Sequence, residues 1–131
     1  MIEKASRKRY ILVIEDDEDI SKTVAYALED QGYQVEVIHD GEVGLKAVQQ
    51  SLPDLVILDL MLPGLSGEEV CKDIRESEFE DVERIPIMML TAKSMLSDRI
   101  VGKVIGANAY VTKPFAMSQL IKEVESLLCV S

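Results

Sequence analysis

Short apolar segments alternate with amphipathic segments along the whole chain. The apolar segments have the length of β-strands and lie at residues 10–14, 33–38, 54–58, 86–90 and 109–112. After each of them, apolar residues recur every three or four positions, which is the spacing of a helix with one buried face. These helices are predicted at residues 19–31, 41–51, 67–78, 97–106 and 117–128. Five strand–helix units in succession predict an α/β fold, with a parallel sheet covered by helices on both faces.

The predicted element boundaries coincide with residues that interrupt regular structure. Gly32 and Gly106 end two of the helices, and Pro53 closes a third. The second strand alternates polar and apolar residues, which places it nearer an edge of the sheet than the almost wholly apolar strands. No linker or internal repeat interrupts the pattern. We therefore expect residues 1–131 to form a single domain, with a core from about residue 10 to residue 128.

Composition and charge restrict the class of protein. The net charge of −10 argues against direct nucleic-acid binding. No apolar run approaches the roughly 20 residues needed to cross a bilayer, and the start of the chain lacks the apolar core of a signal peptide, so we expect a cytoplasmic protein that does not bind membranes. Cys71 and Cys129 are predicted to be reduced thiols, and His39 is the only histidine. These residues support neither a zinc site nor a Ser-His-Asp triad.

Polar residues suited to chemistry follow four of the predicted strands. The first strand runs into five acidic residues, 15–19, and the third into Asp59, whereas the fourth ends at Thr91 and the fifth at Lys113. In a doubly wound sheet, ligands bind beyond these carboxyl ends. Asp59 is the strongest single signal, because solvation does not account for a carboxylate after four buried apolar residues.

Together, these side chains have the composition of a site for phosphoryl transfer. Crowded carboxylates repel one another and favour a hard divalent cation, and Mg²⁺ fits a site that has few protein oxygens and ready access to water. A carboxylate nucleophile, a hydroxyl and an ammonium group would supply the positioning and charge neutralisation that phosphoryl transfer needs. Part of the acidic run has a simpler role, since residues 17–19 are placed to cap the following helix.

The segments ILVIEDDED, DLVILDLMLPGLSG, IMMLTAK and GANAYVTKPF closely resemble the receiver domain of bacterial two-component response regulators, including the chemotaxis regulators. The resemblance extends from about residue 10 to residue 128. It implies a flavodoxin-like (βα)5 three-layer sandwich with strand order 2-1-3-4-5. It also implies that a sensor histidine kinase or a histidine phosphotransfer protein phosphorylates Asp59, and that a downstream effector domain or protein reads the result. Such a domain is a switch with only slow self-catalysed phosphorylation and dephosphorylation, and not an enzyme.

The resemblance also implies a set of metal-binding residues. Asp16 and Asp59 would bind Mg²⁺ directly, together with the backbone carbonyl group of Met61. Glu15 would act through a metal-bound water molecule.

By the same resemblance, a second set of residues would bind the phosphoryl group and relay its presence. Lys113 would contact the phosphoryl oxygens, and its bond to Pro114 is expected to be cis. Thr91 would donate a hydrogen bond after transfer, and the small side chain of Ala92 would let its backbone N–H approach the phosphate. As Thr91 moves, Tyr110 would rotate inward from the surface and reshape the face formed by the helix at 97–106, the last strand and the last helix.

The chain departs from the family pattern at some positions. Asn108 and Ala109 stand where many relatives carry two acidic residues, which weakens any expectation of an ion-paired dimer through this face. Residues 76–83 include five acidic residues and are predicted to be a solvated loop or a frayed helix end.

Other functions remain compatible with parts of the pattern. A receiver-like interaction module that acts without phosphorylation is the main alternative. An aspartate-nucleophile phosphatase would usually carry an acid two residues after the nucleophile, where this chain has Met61. A flavin-binding module would need a phosphate-binding loop after the first strand, where this chain has acidic residues instead.

Overall fold

The computed structural model describes residues 8–92 and 106–129. Five parallel strands form one sheet in the order β2-β1-β3-β4-β5, as the resemblance implied. The strands are β1 (Tyr10–Ile14), β2 (Gln34–Ile38), β3 (Leu55–Asp59), β4 (Ile87–Ala92) and β5 (Ala109–Lys113). β1 pairs with β2 on one side and with β3 on the other. The direction in which successive strands are added to the sheet therefore reverses between β1 and β3.

The helices in the described ranges are α1 (Glu18–Asp30), α2 (Gly41–Ser51), α3 (Gly67–Arg75), α4 (Glu80–Glu83) and α5 (Met117–Leu128). Asp17, Asp40 and Ser66 begin the first three by accepting a hydrogen bond from a backbone N–H in the first turn. The prediction that residues 17–19 cap a helix is therefore confirmed for Asp17. Within residues 8–92 and 106–129, no helix combines the length and apolarity that a bilayer crossing requires.

The sheet separates two apolar clusters, because successive side chains of a strand point to opposite faces. Leu12 and Leu58 point to the face covered by α2 and α3. Ile11 and Ile57 point to the other face, which α1 and α5 cover. All of these side chains are fully buried. Burial on both faces thus explains why β1 and β3 are apolar along almost their whole length.

Several predicted element bounds differ from the structure by one to three residues. Helix α3 ends at Arg75 and not at residue 78, and the acidic segment that follows contains the short helix α4, whose Val82 is buried. Strand β4 continues two residues further than predicted, to Ala92. The helix predicted at residues 97–106 lies largely outside the described residues.

Arg75, the last residue of α3, connects this helix to α4 and to the segment before β5. Its guanidinium group donates hydrogen bonds to the carbonyl oxygens of Gly106 (2.9 Å) and Glu83 (2.7 Å) and to Oδ1 of Asn108 (2.7 Å). Oδ1 of Asn108 also accepts from the backbone N–H of Ile87 at 2.8 Å. One side chain thus fixes α4 and the entry to β5 relative to α3.

Candidate functional site

The candidate site lies at the carboxyl ends of β1, β3 and β5. Glu15 follows the last residue of β1, Asp59 is the last residue of β3, and Lys113 is the last residue of β5. Glu15 continues the sheet, because its backbone N–H donates to the carbonyl of Ile38 at 3.0 Å. The three side chains therefore occupy the position at which doubly wound sheets bind ligands, where the strand order reverses.

Asp59 is held by the loop that leads from β3 to α3. Its Oδ1 accepts a hydrogen bond from the backbone N–H of Met61 at 3.3 Å. The loop returns to the end of β3 at Gly67, whose N–H donates to the carbonyl of Leu60 at 2.9 Å. A Cβ atom on Gly67 would lie 2.2 Å from the carbonyl oxygen of Asp59, so only glycine allows α3 to begin this close to the strand.

Lys113 forms ion pairs with both carboxylates. Its Nζ lies 2.9 Å from Oε1 of Glu15 and 3.2 Å from Oδ2 of Asp59. Glu15 is 1% exposed and Asp59 is 6% exposed, so these are buried charges that share one cation. The bond between Lys113 and Pro114 is cis, as the resemblance implied.

Burial and the neighbouring charges act on the pKa values in opposite ways. Burial raises the pKa of Glu15; the backbone N–H of Asp17 and the ammonium of Lys113 oppose this, and the charge of Asp59 adds to it. Burial by itself would lower the pKa of Lys113, but the hydrogen-bonding and charge interactions with Glu15 and Asp59 outweigh it and raise that pKa. The site thus holds two carboxylates against one ammonium group, which leaves a surplus of negative charge.

This donor set fits a divalent cation. Glu15 Oε1 is buried and, although it lies in the ion pair, makes no hydrogen bond of good geometry within the described residues. Oxygen ligands with surplus negative charge are what Mg²⁺ binds in proteins. In this conformation, however, no three acidic, histidine or cysteine side chains of residues 8–92 and 106–129 come close enough together to hold a metal ion.

The metal-binding roles of Asp16 and of the Met61 carbonyl group stay predictions. Asp16 is exposed, next to the buried Glu15. Met61, predicted to contribute its carbonyl group, has an exposed side chain and contacts Asp59 through its N–H. The structure brings Glu15, Asp59 and Lys113 together and leaves Asp16 outside this contact.

The predicted phosphate-binding and switch residues lie on β4 and β5. Thr91 is 2% exposed and its hydroxyl group donates to the carbonyl of Ala92 at 3.3 Å. Thr91 pairs with Thr112 across the sheet, and Ala92 pairs with Lys113, so both predicted phosphate ligands of β4 border the end of β5.

Tyr110 is half-buried against the cluster on the α2–α3 face. Its hydroxyl group is buried and has no hydrogen-bond partner among the described residues, and burial raises its pKa. The ring is thus half-buried at its starting position, and its rotation on phosphorylation stays a prediction. The neighbouring Asn108 is engaged by Arg75 within the same chain.

Sequence reasoning missed two residues that shape the site. Gly67 packs against Asp59, and the only sequence signal for it is the glycine after the helix-capping serine in LSG. His39 is exposed, but its Nδ1 lies 2.9 Å from the carbonyl oxygen of Glu15. No sequence pattern indicates this contact, because it depends on how the end of β2 aligns with the end of β1.

Comparisons with known proteins converge on one family. Residues 11–125 match the family described as "Response regulator receiver domain". The chain is 43% identical over 118 residues to the phosphate regulon transcriptional regulatory protein PhoB of Rhizobium meliloti, covering 90% of this chain and 51% of that protein. It is 42% identical over 118 residues to the alkaline phosphatase synthesis transcriptional regulatory protein PhoP of Bacillus subtilis, covering 90% of this chain and 48% of that protein. The chain thus spans about half the length of these curated relatives.

Solved structures give the same result. A putative response regulator from Chloroflexus aurantiacus superposes with a TM-score of 0.87 at 33% identity, covering 94% of this chain and 99% of that one. The receiver domain of the sensor histidine kinase PA1611 from Pseudomonas aeruginosa superposes with a TM-score of 0.85 at 28% identity, again covering 94% and 99%. That structure is described as having a magnesium ion coordinated in the active site cleft.

Proposed function

Because this chain belongs to the receiver domain family of two-component response regulators, we propose that it is a phosphorylation switch whose acceptor is Asp59. A sensor histidine kinase or a histidine phosphotransfer protein supplies the phosphoryl group, and a downstream effector domain or protein reads the phosphorylated state. We place this exchange in the cytoplasm. The domain is not an enzyme in this proposal, because it catalyses only its own slow phosphorylation and dephosphorylation.

One observation carries the proposal. The carboxylate of Asp59 is almost completely buried at the end of β3, and the ammonium group of Lys113 lies 3.2 Å from its Oδ2. A buried carboxylate beside a cation, at the ligand-binding edge of the sheet, is well placed to attack phosphorus, because the incoming oxygens meet a positive charge.

In the proposed transfer, an oxygen of Asp59 attacks the phosphorus of a phosphohistidine on the partner. The P–N bond breaks as the P–O bond to Asp59 forms, and the imidazole leaves with the electron pair of the broken bond. Lys113 neutralises charge on the transferred phosphoryl oxygens. Its double ion pair supports this role, because it already fixes the ammonium group beside the acceptor.

We further propose that Asp16, Asp59 and the carbonyl group of Met61 hold Mg²⁺, with Glu15 acting through a water molecule. The surplus negative charge of Glu15 and Asp59 supports this donor set. When bound, the cation would neutralise charge between the acceptor and the phosphoryl group. Asp16 adjoins Glu15 in the sequence and its side chain is exposed, so its carboxylate is accessible to a cation.

The proposed readout is a change of packing near β5. Phosphorylation adds about one further negative charge and new acceptor oxygens at Asp59. The hydroxyl group of Thr91 and the backbone N–H of Ala92 bind these oxygens. As Thr91 moves, Tyr110 completes its insertion. The unpartnered hydroxyl of Tyr110 supports a role as a movable group, because no hydrogen bond within the described residues holds it.

Acetyl phosphate tests the acceptor directly. We expect incubation with acetyl phosphate and Mg²⁺ to add one phosphoryl group to the intact protein, as measured by mass spectrometry. Asp59→Asn should abolish the addition, and omission of Mg²⁺ should suppress it. Asp30→Asn is the matched control, since Asp30 is an exposed aspartate at the far end of α1 and should label as wild type does.

Labelling of Asp59→Asn at the wild-type level would refute the acceptor assignment. Absence of labelling in the folded wild type would favour the alternative, an interaction module that acts without phosphorylation. Sustained release of inorganic phosphate over many turnovers would favour a phosphatase. The exposed thioether of Met61, where such an enzyme usually carries an acid, argues against turnover.

A further inference from the structure

A cavity of about 550 Å³ opens between the end of α2, the end of α3 and the short helix α4. Its apolar lining comes from Leu52, Phe79 and Val82. The chain segments that form it lead into the amino ends of β3 and β4, so the cavity lies at the opposite edge of the sheet from Asp59. Its volume falls in the range of protein pockets that bind ligands, which is roughly 300–1,000 Å³. We call it the distal groove.

Leu52 presents an apolar side chain to the groove from an unfavourable backbone conformation. It follows α2 with a φ of 50°, in the left-handed region that favours glycine or asparagine. Nevertheless its side chain is 46% exposed. A leucine in this conformation that still exposes nearly half of its surface gains only partial burial in return for the backbone strain.

Phe79 has a similar mismatch between residue and position. It is the N-cap of α4 and makes no side-chain capping bond, whereas serine, threonine or aspartate would make one. Its side chain is 68% exposed. Two positions on the rim of the same cavity therefore carry large, exposed apolar side chains where the local backbone favours small polar ones.

The polar lining of the groove is acidic. Asp73, Glu78 and Asp81 line it, and none of its described lining residues is basic. The nearby arginines are engaged elsewhere: Arg84 pairs with Glu80 at 3.2 Å, and Arg75 binds backbone and Asn108 oxygens. The groove therefore combines exposed apolar anchors with acidic side chains and has no basic residue in its described lining.

We propose that the distal groove docks a segment of a partner protein that carries lysine or arginine beside a large apolar side chain. The apolar side chain fills the cavity between Leu52 and Phe79, and the basic side chains pair with the acidic rim. A second copy of this chain fits less well, because its net charge is −10 and its own groove is equally acidic. The proposal does not depend on phosphorylation of Asp59.

Two substitutions separate docking from folding. Leu52→Asn suits the left-handed conformation, and Phe79→Ser supplies a capping side chain. If these positions serve a partner, the double variant should unfold at the same or a higher urea concentration than wild type and yet lose binding. Tyr26→Ser is the matched control, because Tyr26 is a 74% exposed aromatic outside the groove.

The binding experiment uses a phage library of random peptides about twelve residues long, selected on the unphosphorylated protein and counter-selected on the double variant. We expect the enriched peptides to combine lysine or arginine with leucine, isoleucine, phenylalanine or tryptophan. Synthetic copies, measured by fluorescence anisotropy, should bind the double variant at least about 10-fold more weakly and Tyr26→Ser equally well. Added salt and the Asp73→Asn/Asp81→Asn variant should both weaken binding.

Three results would overturn the proposal. The first is a set of enriched peptides with no excess of basic residues, or equal binding to the double variant. The second is a loss of stability in Leu52→Asn and Phe79→Ser, which would assign these residues to folding. The third is self-association in sedimentation experiments that Phe79→Ser abolishes, which would assign the groove to a second copy of the chain.

Discussion

Lys113→Ala removes the only cation that contacts the two buried carboxylates within the described part of the chain. Glu15 and Asp59 then face each other with no countercharge, at 1% and 6% exposure. We expect this substitution to lower the free energy of unfolding of the metal-free protein strongly at neutral pH. Most of that decrease should come from the two carboxylates that are left buried without a countercharge, and less from the absence of the lysine itself.

The distances set the magnitude. With an effective dielectric constant of roughly 20, charges at the observed 2.9 and 3.2 Å attract by about 5 kcal/mol per pair before desolvation is counted. Desolvation of the ions cancels much of this, and removal of one partner from a buried pair usually costs about 3–5 kcal/mol. Because the side chain of Lys113 is 20% exposed, we expect a loss of about 3 kcal/mol, at the lower end of that range.

Urea unfolding in the presence of a chelator measures this loss, and a second substitution identifies its source. Glu15→Gln in the Lys113→Ala background removes one stranded charge and should restore more than half of the stability. Lys122→Ala, at an exposed position of α5, should change it by less than about 0.5 kcal/mol. A Lys113→Ala loss no larger than that of Lys122→Ala, or a double variant no more stable than the single one, would refute the reasoning.

The same variants predict a dependence on pH. Burial raises the pKa of Glu15 above its ordinary value of 4.5, so the folded protein binds this proton more tightly than the unfolded chain does. Stability therefore increases as the pH falls through the raised pKa toward 4.5, because protonation removes the stranded charge. The difference in unfolding free energy between wild type and Lys113→Ala should become smaller over that pH interval. A difference that becomes larger there would contradict the assignment of the destabilisation to the charge of Glu15.

Three further predictions each concern one residue. Gly67→Ala should lower the free energy of unfolding in urea by at least about 2 kcal/mol, because the added Cβ would meet backbone atoms. Gly32→Ala, which has open space but a φ of 99°, should lower it by about 1 kcal/mol. Equal losses in the two variants would contradict the steric argument. Burial raises the pKa of the Cys71 thiol to about 11. A thiol reagent at pH 8 should therefore react rapidly with the exposed Cys129 alone until the protein is unfolded. Rapid reaction of both thiols in the folded protein would show that the core around Cys71 opens easily. Arg75→Ala, which removes three hydrogen bonds from a charged donor, should lower the free energy of unfolding by about 2 kcal/mol, and an unchanged value would mean that water replaces those bonds.

Element order and the residues at the strand ends were predictable because each depends on local pattern. The last helix was predicted at its observed bounds, Met117–Leu128, since its apolar residues recur with helical spacing over three turns. Asp59 and Lys113 were assigned to strand ends by simple adjacency, and parallel strands bring those ends to one edge of the sheet.

Features that depend on packing between distant segments were not predictable in this way. The acidic segment 76–83 was expected to be a solvated loop or a frayed helix end, but Val82 is buried against the core. The two apolar residues of the segment, Phe79 and Val82, gave too short a pattern to indicate a helix. The orientation of Asp16 could not be read from its place in the acidic run, because Glu15 and Asp16 point to different environments although they are adjacent.

The sheet also divides the interior into two compartments with separate packing. Val24 belongs to the compartment under α1 and α5, and Val48 to the one under α2 and α3. Because these two valines belong to different clusters on opposite faces of the sheet, we expect their truncations to have additive effects on stability. Either compartment can thus be repacked as an independent unit, which makes the domain a convenient scaffold for stepwise redesign.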